Sequence, residues 1–228
     1  MLKLKNQMGP TEQSMILFFA IYVLISLPVI IITRRFIHIM MIWNVFLALL
    51  PLFFSLQFPS GWINRDKKRV WLFGVLWLLF FPNAPYMITD FIHLQGFSFY
   101  TFNTQDSQMV YSTHLSIWIS LIHIGIGVLM GTYSGMLSFH IVRSALIRNI
   151  GIAATHVVVI LISLISGYAV YIGRFLRFNS WDIFRPAAFL SQLFSHFNLF
   201  SAGISLLFSL YILLVFWLFE IVFSFQHR

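Results

Sequence analysis

The sequence predicts an all-α fold, a polytopic transmembrane helix bundle of about six spans. The 228-residue chain is 60% apolar and only 9% charged, with a mean hydropathy of +0.89, whereas soluble domains are about a quarter charged. A soluble fold of this size cannot hide so much apolar surface, because a large share of a small protein's residues lies outside. Six apolar segments each approach or exceed the roughly 20 residues needed to cross a hydrocarbon core. The 27 Phe residues suit lipid-facing surfaces and interfacial belts.

The first segment is Met15 to Thr33. Lys3 and Lys5 precede it as they would a signal peptide, but it is long enough to span and no small-x-small pattern follows, so an uncleaved anchor is expected. Arg34 and Arg35 close it. The second runs from Ile37 to Phe58, followed by a turn at Pro59-Ser60-Gly61 and a basic run from Arg65 to Arg69. The third covers Val70 to Leu94 and is expected to be broken at Pro82 and Pro85. The fourth, Val110 to Val142, is long enough to tilt or to outrun the bilayer. The fifth is Gly151 to Gly173 and the sixth Gly203 to Phe225. Between these two, Pro186 to Phe200 sets Ser191, Gln192, Ser195 and His196 against an apolar remainder. It reads as a short interfacial helix before the last span, a re-entrant seventh segment being the alternative. No internal repeat or linker divides the chain, so residues 1–228 are read as a single integral membrane domain.

With the N-terminus inside, nine Lys and Arg fall in inner segments and five in outer ones. The positive-inside bias places both termini in the cytoplasm and the chain in the cell membrane as a multi-pass protein. The net charge of +8 sits in short clusters beside apolar runs, so it reads as membrane anchoring and excludes nucleic acid as a partner. The expected partners are membrane lipids, and a bundle this small leaves homo-oligomerisation open. The absence of cysteine excludes disulfides, thiolate metal sites and cysteine nucleophiles.

Two segments carry polar chemistry. In Pro82-Asn83-Ala84-Pro85-Tyr86, two prolines three residues apart must interrupt a helix, since each lacks an N–H and clashes with the preceding turn. Phe81 lies about 18 Å along a helix begun at Val70, past the middle of a core roughly 30 Å thick. Irregular backbone at that depth persists only where protein covers it or water reaches it. Asn83 is the natural side chain to bond the freed backbone. Asp90 and His93 follow, three apart and on one face, suited to acid–base work or to offering two metal ligands; a cap or a headgroup ion pair is the plainer reading. The second segment holds Arg174, Arg177, Asn179, Trp181, Asp182 and Arg185. Guanidinium forks take carboxylates and phosphates in two-point fashion, and ordinary interfacial anchoring is again the plainer reading. Topology puts both segments on one face, so pairing of Asp90 with Arg174 or Arg177 is expected, with His93 and Asp182 joining.

These two motifs, Pro82-Asn83-Ala84-Pro85-Tyr86 with Thr89-Asp90 and His93, and Gly173-Arg174-Phe175-Leu176-Arg177-Phe178-Asn179-Ser180-Trp181-Asp182, look like those of the bacterial integral membrane family catalogued as domain of unknown function 1361. The resemblance covers the whole chain in length and helix pattern. That family usually has Trp where this chain has Phe178, which keeps an aromatic ring and removes the indole donor. The resemblance implies an integral membrane protein and no particular activity.

Along the fourth span, Gly127, Gly131 and Gly135 make a small-xxx-small row that lets another helix approach closely, with Ser116, Ser120, His123, Ser134 and Ser138 near the same face. His123 and His156 are expected to be neutral histidines bonded to backbone carbonyls, although ionisable groups inside spans are functional candidates by default. His156, Ser163, Gly167, Tyr171 and Arg174 form one stripe expected to face protein. Glu220 is placed to pair with an inner basic residue or to reach the headgroups, and His140 and Arg143 read as loop anchors. No phosphate-cradling glycine loop, serine-nucleophile motif or HExxH pair occurs, so no cofactor and no metal is expected. The expected function is binding or transport of a small polar or anionic ligand at an outer-face site of Asn83, Tyr86, Asp90, His93, Arg174, Arg177, Asn179, Trp181 and Asp182. A membrane-embedded enzyme acting on a lipid-linked or headgroup substrate, with Asp90 and His93 handling protons, is the alternative; a structural clamp without a ligand is the second.

Overall fold

A computed structural model describes residues 10–63, 66–103, 107–176 and 196–226. In it, six helical stretches are long and apolar enough to cross a membrane. They are α1 (Pro10–Thr33), α2 (Ile37–Ile63), a composite third stretch, α5 (Leu115–Ile150), α6 (Ile152–Tyr171) and α7 (Leu199–Gln226). The third stretch is built of α3 (Lys67–Phe80), the single turn α4 (Asn83–Tyr86) and a 3-10 helix over Met87–Leu94. An antiparallel hairpin, β1 (Tyr100–Phe102) with β2 (Met109–Tyr111), joins it to α5, and Tyr100 pairs with Tyr111. A π-helical turn, Ile172–Leu176, follows α6. The interfacial helix expected before the last span falls almost wholly on residues outside the described set.

The chain runs up and down. The α1–α2 turn, the hairpin and the π-turn lie at one end; the α2–α3 junction and the α5–α6 junction lie at the other. Arg35 stacked over the Phe97 ring, 3.8 Å from its centroid, ties the α1–α2 turn to the segment that leads from the third stretch into the hairpin. At the opposite end Arg69 hydrogen-bonds Gln57 across the α2–α3 junction, and Asp66 caps α3 by accepting from the Arg69 backbone N–H at 3.1 Å.

The fourth expected span is displaced. Met109–Tyr111 is strand, the helix starts after His114, and it continues to Ile150. A short apolar run does not by itself separate a strand from a helix start, and Met109–Tyr111 is an exposed strand paired with Tyr100–Phe102. His140 and Arg143 are therefore residues of a long helix rather than loop anchors. They hold Glu220 of α7 from α5, at 2.5 Å and 2.8 Å. Helix α5 stops at Gly151, whose φ of +83° favours glycine. Gly151 alone separates α5 from α6; its N–H bonds the Ile147 carbonyl and its carbonyl accepts from Thr155.

Helix α5 is the spine on which the others pack. Its glycines explain how. A Cβ at Gly127 would sit 2.5 Å from Met41 and 2.7 Å from the Tyr22 hydroxyl. One at Gly131 would sit 2.8 Å from Met87, and one at Gly135 would collide with the Ala84 methyl. The row therefore seats α1, α2 and the proline-bearing segment in turn, because without a hydrophobic drive between helices in lipid, close van der Waals approach holds them. Below it, Trp77, Phe81, Phe139 and Phe216 stack ring on ring at centroid distances of 4.3 to 5.7 Å. In α6, Gly167 faces the backbone of Ser205 and Ser209 in α7, and Ser163 and Tyr171 of the same stripe are buried.

Gly135→Ala should destabilise the bundle by on the order of 2 kcal/mol, the usual cost of overpacking. Gly125→Ala, where an added methyl meets nothing within 4 Å, should be neutral or slightly stabilising from helix propensity. Equilibrium unfolding in mixed micelles checks the difference in sign.

Candidate functional site

The third span changes character at its prolines while its backbone angles stay helical. Phe81, Pro82 and Met87 all keep right-handed helical angles, so the interruption is one of hydrogen bonding. The Ala84 N–H reaches back three residues to the Phe81 carbonyl at 3.1 Å, which leaves the Phe80 carbonyl without its usual partner. The Asn83 side chain donates to that carbonyl at 2.8 Å. Beyond Tyr86 the chain winds as a 3-10 helix, in which residues three apart eclipse one another.

That winding decides which groups meet. Tyr86 and Thr89 are three apart, and Arg174 of the π-turn grips both: Nη1 donates to the Tyr86 hydroxyl at 3.1 Å and Nη2 to the Thr89 carbonyl at 2.6 Å. Its guanidinium also lies 5.6 Å from the centre of the Tyr86 ring. Asp90 is one residue further on, so at three residues per turn it points about 120° away. It turns toward α2, where its Oδ2 accepts from the Asn44 side chain at 2.8 Å. Asp90 is 1% exposed, while His93, eclipsed above it, is 42% exposed and holds its Nε2 4.0 Å from Asp90 Oδ1.

The expected ion pair between Asp90 and Arg174 is not formed. The guanidinium is anchored by two neutral oxygens on one side of the 3-10 helix, and the carboxylate is anchored by an amide on the other. Asn83, Tyr86, Asp90, His93 and Arg174 do gather at the end of the third span; Arg177, Asn179, Trp181 and Asp182 lie outside the described residues. Among the described residues no three metal-ligating side chains gather, so Asp90 and His93 stand as two ligands without a third.

Sequence reasoning missed Asn44. Its signal was available, an amide in an otherwise apolar span, but its partner lies 46 residues away. It also misassigned His123, which meets side chains rather than a distant carbonyl: Ser26 and His38 lie at 2.8 Å and 3.1 Å from its ring nitrogens.

A family model described as a protein of unknown function (DUF1361) matches residues 43–218. The match takes in Asn44, the third span, α5 and Arg174, and leaves α1 and His38 outside. No curated protein and no solved structure matches the chain.

Asn44→Ala should cost about 1.5–3 kcal/mol, because it strips a buried carboxylate of its donor. The same substitution in an Asp90→Asn background should cost much less. A double-mutant cycle of unfolding free energies gives the comparison.

Proposed function

The chain belongs to the DUF1361 family, and we propose that it binds a small anionic ligand, in transport or sensing, at the end of the third span where Arg174 is held. One observation carries this reading. The Arg174 fork is fixed by a phenol and a backbone carbonyl, and among the described residues no carboxylate lies within ion-pair distance of it. Neutral anchors position a cation without neutralising it, and a cation so placed needs an anion more than it needs a further clamp. Arg34 and Arg35 at the same end add to the positive field. On the positive-inside count this end is the outer face of the cell membrane. The shared chemistry is a phosphate or carboxylate group, whether on a dissolved solute or on a lipid head.

A second reading rests on the buried Asp90 behind the half-exposed His93. That order suits a histidine acting as a base on a headgroup or lipid-linked substrate. It requires His93→Ala to abolish turnover of such a substrate while leaving ligand affinity largely intact.

Calorimetry with inorganic phosphate and with a dicarboxylate, in nanodiscs of neutral and of anionic lipid, separates solute from headgroup. Arg174→Gln should weaken binding about ten- to a hundredfold, the worth of one or two charge-assisted hydrogen bonds. Tyr86→Phe removes one anchor and keeps the charge, so it should lower stability and change affinity less than about threefold. Equal affinity in wild type and Arg174→Gln, with only stability reduced, makes Arg174 a clamp and overturns the binding reading.

A further inference from the structure

Helices α1 and α5 meet where Tyr22 lies against Gly127, and their outward faces enclose a groove of about 560 Å³. Every residue in its lining belongs to one of these two helices. Along α1 it runs from Phe18 to Ile32, fourteen residues and so about 21 Å. One leaflet contributes roughly 15 Å to the hydrocarbon core, so the groove is deeper than a leaflet. It opens away from the bundle, since Ile25 is 48% exposed and Ile122 60%. On a membrane span that side meets lipid.

The walls determine what fits. Three lining residues carry polar atoms, and all three are engaged elsewhere. The Tyr22 hydroxyl lies 3.3 Å from His123 Nδ1, and His123 Nε2 is 2.8 Å from Ser26 Oγ. Trp118 Nε1 donates to the Ser112 carbonyl at 2.9 Å. An occupant therefore meets hydrocarbon along its length, which suits an alkyl or isoprenoid chain and not an extended peptide with its backbone groups. A second transmembrane helix fits poorly as well. Close helix approach needs small residues, and there is no Gly, Ala or Ser among the fourteen residues of the lining. The glycine row of α5 is already covered by Tyr22, Met41, Met87 and Ala84. Half of the lining is Ile or Val, side chains stiff at χ1, so the groove is largely formed before anything enters it.

The rim determines what the chain carries. Arg34 ends α1 two residues beyond Ile32, with its N–H on the Ile30 carbonyl at 2.8 Å. It is exposed, and among the described residues no carboxylate lies within ion-pair distance of it. Helix α5 begins at the same rim with no side chain capping its first turn, and its dipole adds to the positive field.

We propose that the groove between α1 and α5 binds one hydrocarbon chain of an anionic phospholipid, whose phosphate sits at Arg34. The site is separate from that of Arg174 and does not rest on that reading. The bound chain touches both walls and so fastens α1 to the rest of the bundle.

Trp118 in the groove wall is the reporter. The protein is reconstituted in phosphatidylcholine vesicles containing a rising fraction of phosphatidylglycerol or of phosphatidylcholine with brominated chains, which quench tryptophan on contact. The difference between wild type and Trp118→Phe isolates Trp118 among the seven tryptophans. Brominated phosphatidylglycerol should half-quench it at a mole fraction about tenfold lower than brominated phosphatidylcholine. Arg34→Gln should remove that preference, and Arg174→Gln should leave it unchanged. Ile122→Phe, which fills the groove, should weaken the quenching; Leu129→Phe, on an exposed part of α5 outside the lining, should not. Equal quenching by both lipids at every mole fraction overturns the proposal, the groove then holding bulk lipid only. Quenching by neither, with cross-linking of the chain into dimers, also overturns it, because a second copy then covers the groove. Should Trp118→Phe not fold, native mass spectrometry decides: wild type should retain one phosphatidylglycerol per chain and Ile122→Phe should lose it, and equal retention by the two overturns the proposal.

Discussion

Inside a bilayer a backbone carbonyl that loses its helical partner has no water to turn to, and the penalty is several kcal/mol. Pro82 and Pro85 create that problem in the third span. The response organises much of the upper half of the molecule. Asn83 takes the Phe80 carbonyl, the helix tightens to 3-10 winding, and Arg174 crosses from the fifth span to the Thr89 carbonyl. The tighter winding turns Asp90 away from the arginine and onto Asn44. The separation of positive and negative groups thus follows from a hydrogen-bonding defect two turns earlier.

Helix α5 supplies the second constraint. Its three glycines bring α1, α2 and α4 close enough for their polar side chains to touch. The buried histidine contact exists because Gly127 allows Tyr22 and Met41 to lie against the backbone. The tightened third span reaches Asn44 because Gly131 and Gly135 admit Met87 and Ala84. Packing and polar chemistry are therefore the same feature seen at two scales.

Much of the architecture was legible in the chain because the bilayer imposes one length on every span. Six apolar runs and a pair of prolines are local signals, and so is the glycine row. The meeting of Arg174 with the third span was also within reach, since alternating topology puts both on one face. What sequence could not yield was which side of a turn each group occupies. Asp90 and Arg174 looked like partners by charge, and a rotation of about one third of a turn in the 3-10 helix gave each a different one. The hairpin beside α5 was hidden in the same way: Tyr100 and Tyr111 pair across a connection that no local pattern announces. Asn44, His38 and Ser26 each stand alone in an apolar run, and their meaning comes only from residues 46 to 97 positions away.

The junction at Gly151 has a consequence for biogenesis. With a single residue between two spans, the polypeptide has no slack for α5 to settle in lipid while α6 waits in the translocation channel. The pair must leave that channel as one helical hairpin, already folded back on itself. His123, in α5, and Arg174, just past α6, are then delivered to the membrane in a single step.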